Sequence, residues 1–196
     1  MDQIKTVIRI LISLFLTVIL ADGCNQSPVP KPRGYFRIDL PDKVYTRYDS
    51  VCPFVFEYPT YGIITEDEYS TEPCWINIEF KEYKGKVHLS YKEVAGNLDL
   101  LIEDAHKLAY KHTVKADAIE ESLVENREKS VYGILYDIRG NAASSVQFFV
   151  TDSASNYLRG ALYFSVQPNK DSLAPVIDFF REDIIHLIET LEWKQD

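Results

Sequence analysis

The sequence lacks the features that would place it outside the globular proteins. Eight glycines and nine prolines among 196 residues are too few for a collagen or a low-complexity linker. No apolar run reaches the roughly 20 residues that a membrane-spanning helix needs, and a hydrophobic content of 46% is too high for a disordered chain. The formal net charge of -9 argues against a general electrostatic grip on nucleic acid. A globular chain remains, with one domain or two very small ones.

The common catalytic signatures are absent as well. The sequence contains no GxSxG, HExxH, GxxxxGK(S/T) or GxGxxG pattern. The acidic run at residues 66–68 lacks the glycine and the spacing of a calcium loop. The positions of the four histidines (His88, His106, His112 and His186) are typical of surface residues rather than of a shared metal site. We therefore predict that the chain is not an enzyme, with no catalytic residues, no metal and no cofactor.

The first 23 residues are typical of a secretory signal peptide. Lys5 and Arg9 precede twelve uncharged residues, 10–21, which match the apolar segment of a signal rather than a spanning helix. Cys24 follows as in a bacterial lipobox, although Ala21 stands where leucine is usual. We predict cleavage before Cys24 and lipidation of that cysteine, with an uncleaved signal anchor as the alternative. More than one acyl chain would give stable attachment to a membrane.

Residues 24–34 are predicted to form a stiff tether. Pro28, Pro30 and Pro32 fix their own φ angles and restrict the preceding residues to extended conformations. Residues 24–49 carry five basic and three acidic residues, or +2, whereas residues 50–196 carry 14 basic and 25 acidic residues, or -11. The basic end therefore lies beside the predicted anchor, where anionic head groups would attract it. A solvated segment of mixed charge is the alternative.

The number of cysteines, three, is consistent with an exported protein. If Cys24 is acylated, Cys52 and Cys74 remain as an even pair. An oxidising compartment permits a disulfide between them, which would stabilise the fold by roughly 3 kcal/mol. A metal or redox site is disfavoured because the cysteines do not have the CxxC spacing. Two buried free thiols remain the other alternative.

Alternating apolar residues predict six strands, and two stripes of period 3.6 predict helices. The predicted strands cover 54–58, 76–80, 87–91, 132–138, 146–150 and 158–166. The helices run over 98–109, with Asn97 as N-cap, and from Pro175 to residue 191. Residues 113–128 are ambiguous between strand and turn. The order predicts an α+β fold, a single antiparallel-sheet sandwich with two main helices packed on it, over one domain at 35–196. It resembles the PsbP/Mog1-like fold.

The most distinctive stretch is PKPRGYFRIDLP at residues 30–41. Together with CPF at 52–54, FEYP at 56–59, CWIN at 74–77 and the closing helix at 179–193, it resembles the gliding motility lipoprotein GldD family of Bacteroidetes. The resemblance covers essentially all of residues 24–196. It implies a non-catalytic, membrane-anchored component or assembly factor of the gliding machinery, facing the periplasm and linked to type IX secretion. Its partners would be other gliding or secretion proteins and not nucleic acid.

The same stretch contains the predicted partner-binding residues Arg33, Gly34, Tyr35 and Arg37. The two arginines can form bidentate contacts with carboxylates or phosphates, and the glycine permits a positive φ. We expect this segment to dock on a partner protein or on the acidic surface of its own domain. The second function left open is a periplasmic ligand-binding module for a sugar or peptide. Its pocket would be lined by some of the 13 tyrosines.

Overall fold

The computed structural model describes residues 3–4, 38–68, 70–111, 113, 115–166 and 170–194. The chain divides into two units, Met1–Gly34 and Tyr35–Asp196. The described part of the second unit contains ten strands and two α-helices. The strands are β1 Tyr45–Asp49, β2 Phe54–Pro59, β3 Ile63–Glu66, β4 Trp75–Phe80, β5 Gly85–Glu93, β6 Ala116–Asn126, β7 Val131–Gly140, β8 Ser144–Thr151, β9 Asn156–Phe164 and β10 Glu192–Trp193. The helices are α1 Leu98–Tyr110 and α2 Lys170–Thr190.

The strands form two antiparallel sheets. The smaller sheet has the order β1-β2-β10, and the larger has the order β3-β4-β5-β9-β8-β7-β6. Every pairing in both sheets is antiparallel. With two helices packed against antiparallel strands, the predicted α+β fold class is confirmed.

Helix α2 and the smaller sheet share the main core with one face of the larger sheet. Phe180, Ile184 and Leu187 of α2 are buried in the same cluster as Phe56 of β2 and Phe80 of β4. The rings of Phe80 and Phe180 stack with centroids 4.1 Å apart. Fully burying one such side chain stabilises the fold by roughly 1.5–3 kcal/mol. This cluster therefore fixes the position of α2.

Helix α1 covers part of the opposite face of the larger sheet. Its buried residues Leu101, Ala105 and Ala109 pack in a second cluster that contains Tyr136 and Tyr157. Neighbouring residues of a strand point to opposite faces, so Tyr136 faces α1 while Leu135 joins the α2 cluster. Both faces of the sheet therefore carry a helix.

Several element boundaries differ from the prediction. Helix α2 begins at Lys170 rather than at Pro175, which lies inside the helix. There the proline costs one backbone hydrogen bond, since it has no N–H. The ambiguous segment 113–128 contains β6, and β1, β3 and β10 were not predicted from the sequence. Those three strands have five, four and two residues, too few to show a clear alternation of apolar side chains.

Two buried tyrosines beside α1 should respond in opposite ways to replacement by phenylalanine. The Tyr136 hydroxyl is buried and has no hydrogen-bond partner within the described part of the chain. The Tyr157 hydroxyl, in the same cluster, donates to the Leu101 carbonyl at 3.1 Å. We expect Tyr136→Phe to raise the free energy of unfolding at pH 7 by about 1–3 kcal/mol, because it removes an unpaired polar group. Tyr157→Phe should lower it by about 1 kcal/mol. Urea denaturation measures both.

Burial raises the pKa of both phenols of this pair above the usual range. Burial raises the pKa of Tyr136 from 10.0 to about 12. The native state therefore holds its proton more tightly than the unfolded chain, and the stability from this group, fully present below pH 10, is lost as pH rises from 10 to 12. Tyr136→Phe should lessen the fall in stability over this range. An alkaline unfolding curve identical to that of the wild type would contradict the burial of this phenol.

Candidate functional site

Most of the predicted site residues lie outside the described residues. Cys24, Arg33, Gly34, Tyr35 and Arg37 all belong to this group, so their lipidation and partner-binding roles stay predictions. The signal peptide at 1–23 and the tether at 24–34 likewise stay predictions. Among the residues that are described, no helix combines the length and the apolar character needed to cross a membrane.

Cys52 and Cys74 are joined by a disulfide with their Cα atoms 5.6 Å apart. Cys52 lies in the turn between β1 and β2, and Cys74 immediately precedes β4. The bond therefore links the smaller sheet to the larger one. Cys52 is buried, and its Sγ accepts a hydrogen bond from the Tyr48 hydroxyl at 3.6 Å.

The segment before β1, which follows the predicted tether, meets α2 at a buried carboxylate. Asp183 is 3% exposed and accepts three hydrogen bonds through its two oxygens. Oδ1 accepts from Lys43 Nζ at 2.8 Å and from the Tyr45 hydroxyl at 3.0 Å. Oδ2 accepts from the Tyr61 hydroxyl at 2.5 Å. We call these residues, with Phe179, the Asp183 cluster; it attaches residues 43–45 to the core.

The cluster compensates the cost of burying a charge. Removing a carboxylate from water destabilises the folded state unless the carboxylate is paired with a cation and hydrogen-bonded. Lys43 supplies the pairing charge and also lies 3.7 Å from the centre of the Phe179 ring, a cation–π contact. Burial, and then the hydrogen bond to Asp183, raise the pKa values of Tyr45 and Tyr61 well above the usual range. Both phenols therefore remain protonated donors at neutral pH.

Sequence reasoning missed this cluster, although one signal for it was present. Phe180, Asp183, Ile184 and Leu187 follow the helical i, i+3, i+4, i+7 spacing, so a carboxylate interrupts the apolar stripe of α2. A charged residue at a core-facing position requires partners. In the sequence Lys43 is one of the five basic residues of the region 24–49, and nothing local identifies it as that partner.

The described histidines occupy varied surroundings. His186 was expected on the surface, but it is half-buried between the Tyr45 ring, stacked at 3.6 Å between centroids, and Glu57 Oε2 at 2.8 Å. His88 Nδ1 lies 3.9 Å from an Asp67 oxygen. His112 lies outside the described residues. Within the described ranges, no group of three or more His, Cys, Asp or Glu side chains could hold a metal ion.

A groove of about 660 Å³ lies between α2 and the ends of β6 and β7. Arg181 of α2 makes a bidentate contact with Asp137 of β7 at 2.5 and 2.7 Å. This hydrogen bond raises the pKa of Arg181. Arg139 similarly contacts Glu120 at 2.9 Å. Both arginines of the groove are thus paired within the chain, and its six charged residues sum to -2.

Comparison with solved structures finds a likeness to the solution structure of cyanobacterial PsbP from Synechocystis. The two share 9% sequence identity with a TM-score of 0.49, over 81% of this chain and 97% of that one. The sequence matches no curated protein. A family model described as gliding motility lipoprotein GldD matches residues 25–193, which include every described strand and helix from β1 to β10. The chain therefore belongs to the gliding motility lipoprotein GldD family.

Proposed function

We propose that this chain is a non-catalytic, lipid-anchored component or assembly factor of the gliding machinery, linked to type IX secretion. The observation that carries the proposal is the family match over residues 25–193, which begins one residue after the predicted lipidation cysteine. In this proposal Cys24 holds the chain on a membrane of the cell envelope, and the folded unit faces the periplasm. Its direct partners are other proteins of the same machinery.

The Asp183 cluster supports a mechanical or positioning role. Lys43 lies 19 residues beyond Cys24, and it is held on α2 by a buried ion pair. The chain is therefore fixed to α2 from residue 43 onward. A fold that is fixed a short stretch of sequence after its predicted anchor is suited to presenting one surface to a neighbour in the envelope.

A Cys24→Ser variant should fail to restore gliding to a bacterium from which the gene for this protein has been deleted. Serine cannot take the thioether-linked lipid, so the variant should leave the membrane fraction and fail to restore motility and the secretion of a type IX cargo. Ser27→Ala, three residues away, is the matched control and should restore both. Colony spreading, membrane fractionation and cargo immunoblots measure these outcomes.

A second arm separates a stoichiometric component from a factor that acts repeatedly. Lowering the expression of the wild-type chain in steps should reduce gliding in proportion, because a structural part is needed in fixed number. Full gliding at a small fraction of the normal level would contradict a stoichiometric component and favour a factor that acts repeatedly, either an assembly factor or an enzyme. Full gliding by a Cys24→Ser variant that stays out of the membrane would contradict the anchored role.

A further inference from the structure

One line of side chains crosses the larger sheet from edge to edge on the face that carries α1. The strand register places these residues directly opposite one another on successive strands. The row consists of Thr65, Asn77, His88, Ala161, Gln147, Tyr136 and Glu121, in the order β3, β4, β5, β9, β8, β7, β6. We call this set the polar row.

Three members of the polar row have a buried polar atom without a hydrogen-bond partner. These atoms are Asn77 Oδ1, Gln147 Nε2 and Tyr136 Oη, and no other side chain of the described residues has such an atom. Asn77 and Gln147 are only 3% and 2% exposed. Native structures pair nearly all buried polar groups, so three exceptions in a single row call for a physical explanation.

The contacts of the two amides settle which atom is left over. Arg159 can only donate, and its Nη2 contacts Gln147 Oε1 at 2.6 Å, so the unpaired atom of Gln147 is the donor Nε2. Asn77 Nδ2 donates to the Glu66 carbonyl at 3.4 Å, so the unpaired atom of Asn77 is the acceptor Oδ1. The two amides thus offer one donor and one acceptor three strands apart, or roughly 14 Å.

The middle position of the polar row has a small side chain, and an aromatic ring lies beside it. Ala161 lies between Gln147 and His88 and contributes only a methyl group above the sheet. Tyr163, two residues along β9, meets the His88 ring edge-on with centroids 5.5 Å apart. The His88 side chain is 42% exposed, so this part of the row is accessible from solvent.

The surroundings of this part of the row are electrically balanced. Glu79 and Lys86 contact each other at 3.0 Å, Asp67 lies beside His88, and Arg159 is bonded to Gln147. These two acidic and two basic residues sum to zero. Burial lowers the pKa of His88, which keeps its ring uncharged at neutral pH. A strongly charged ligand would gain little here.

We propose that the polar row is a binding site for a neutral oligosaccharide. Sugar hydroxyls both donate and accept, so one oligosaccharide can accept a hydrogen bond from Gln147 Nε2 and donate one to Asn77 Oδ1. A sugar face can pack on the Tyr163 ring above Ala161. Because both amides are buried, binding requires the ligand to displace the neighbouring Arg159 and His88 side chains, and a sugar hydroxyl then replaces Arg159 as the donor to Gln147 Oε1. A peptide strand would instead need a free sheet edge, and β5, β9 and β8 are interior strands.

The test titrates the full-length, ¹⁵N-labelled chain with three neutral probes: maltotriose, mannotriose and tri-N-acetylchitotriose. The protein is kept in an amine-oxide detergent, since glycoside detergents would compete. Binding of at least one probe should shift the side-chain amide signals of Gln147 and Asn77 in a saturable way, with a dissociation constant of about 1 mM or below. The Gln147 signals are assigned by their loss in Gln147→Met.

Two variants keep the proposal falsifiable. Gln147→Met conserves volume and removes the unpaired donor, and Tyr163→Ala removes the packing ring; each should weaken binding by about tenfold or more. Ser122→Ala, on the edge strand β6 and outside the row, should leave binding unchanged. Circular dichroism checks that each variant is folded. The proposal is overturned if none of the three probes gives a saturable shift up to about 10 mM, or if Gln147→Met and Tyr163→Ala both bind like the wild type.

Discussion

Replacing Asp183 by alanine should lower the free energy of unfolding by about 3–5 kcal/mol, the usual cost of breaking a buried ion pair. The variant leaves Lys43 without the partner that lies 2.8 Å from its Nζ, and it leaves the Tyr45 and Tyr61 hydroxyls without their acceptor. Urea denaturation followed by tryptophan fluorescence measures the loss. Limited proteolysis should also cut near residue 43 in the variant before the rest of the fold is digested.

Glu182→Gln provides the matched control on the same helix. Glu182 also contacts Lys43, at 3.5 Å, but its side chain is 69% exposed. Exposed ion pairs contribute between about 0 and 1 kcal/mol, so this variant should behave nearly as the wild type. Equal losses in Asp183→Ala and Glu182→Gln would show that burial is not what makes Asp183 important.

Removing the disulfide should lower the free energy of unfolding by about 3 kcal/mol. The bond joins residues separated by 22 positions, and closing a loop of that size constrains the unfolded chain by about this amount. A Cys52→Ala/Cys74→Ala double variant avoids placing a serine hydroxyl at the buried position 52. Its urea midpoint is compared with that of the oxidised wild type.

A reducing agent supplies the internal control for this prediction. It should lower the midpoint of the wild type towards that of the double variant and leave the double variant unchanged. Because the bond links the turn after β1 to the start of β4, we also expect faster amide exchange in β1 when it is absent. A wild-type midpoint that reduction does not move would show that the bond adds nothing to stability.

Elements with a clear period could be predicted from the sequence. The alternation at 132–138 predicts β7 because its apolar residues share the face covered by α1, where Tyr136 and Ile138 are buried. The stripe over 98–109 predicts α1 because one side of that helix packs against the sheet. Strand β1, with the sequence YTRYD, shows no such pattern. Its pairing with β2 defines it, and pairing across a turn leaves no periodic signal in the strand itself.

The candidate sites also divide into those that local sequence predicts and those that depend on long-range pairing. The even pair Cys52 and Cys74 is visible from composition, because a disulfide needs only residue type and compartment. Asp183 meets Lys43 across 140 residues and the polar row draws on seven strands, so both depend on long-range register. A one-residue slip in any strand would move its member of the row to the other face of the sheet.

The smaller sheet also determines how the fold responds to tension. Tyr45, the first residue of β1, pairs with Pro59 at one end of β2, and Trp193, the last residue of β10, pairs with Phe54 at the other end. Both outer strands run antiparallel to β2, so a pull between Tyr45 and Trp193 slides them along β2 in opposite directions. The inter-strand hydrogen bonds lie perpendicular to that pull. They are therefore loaded together in shear, and resist as a group, instead of opening one after another as in a zipper.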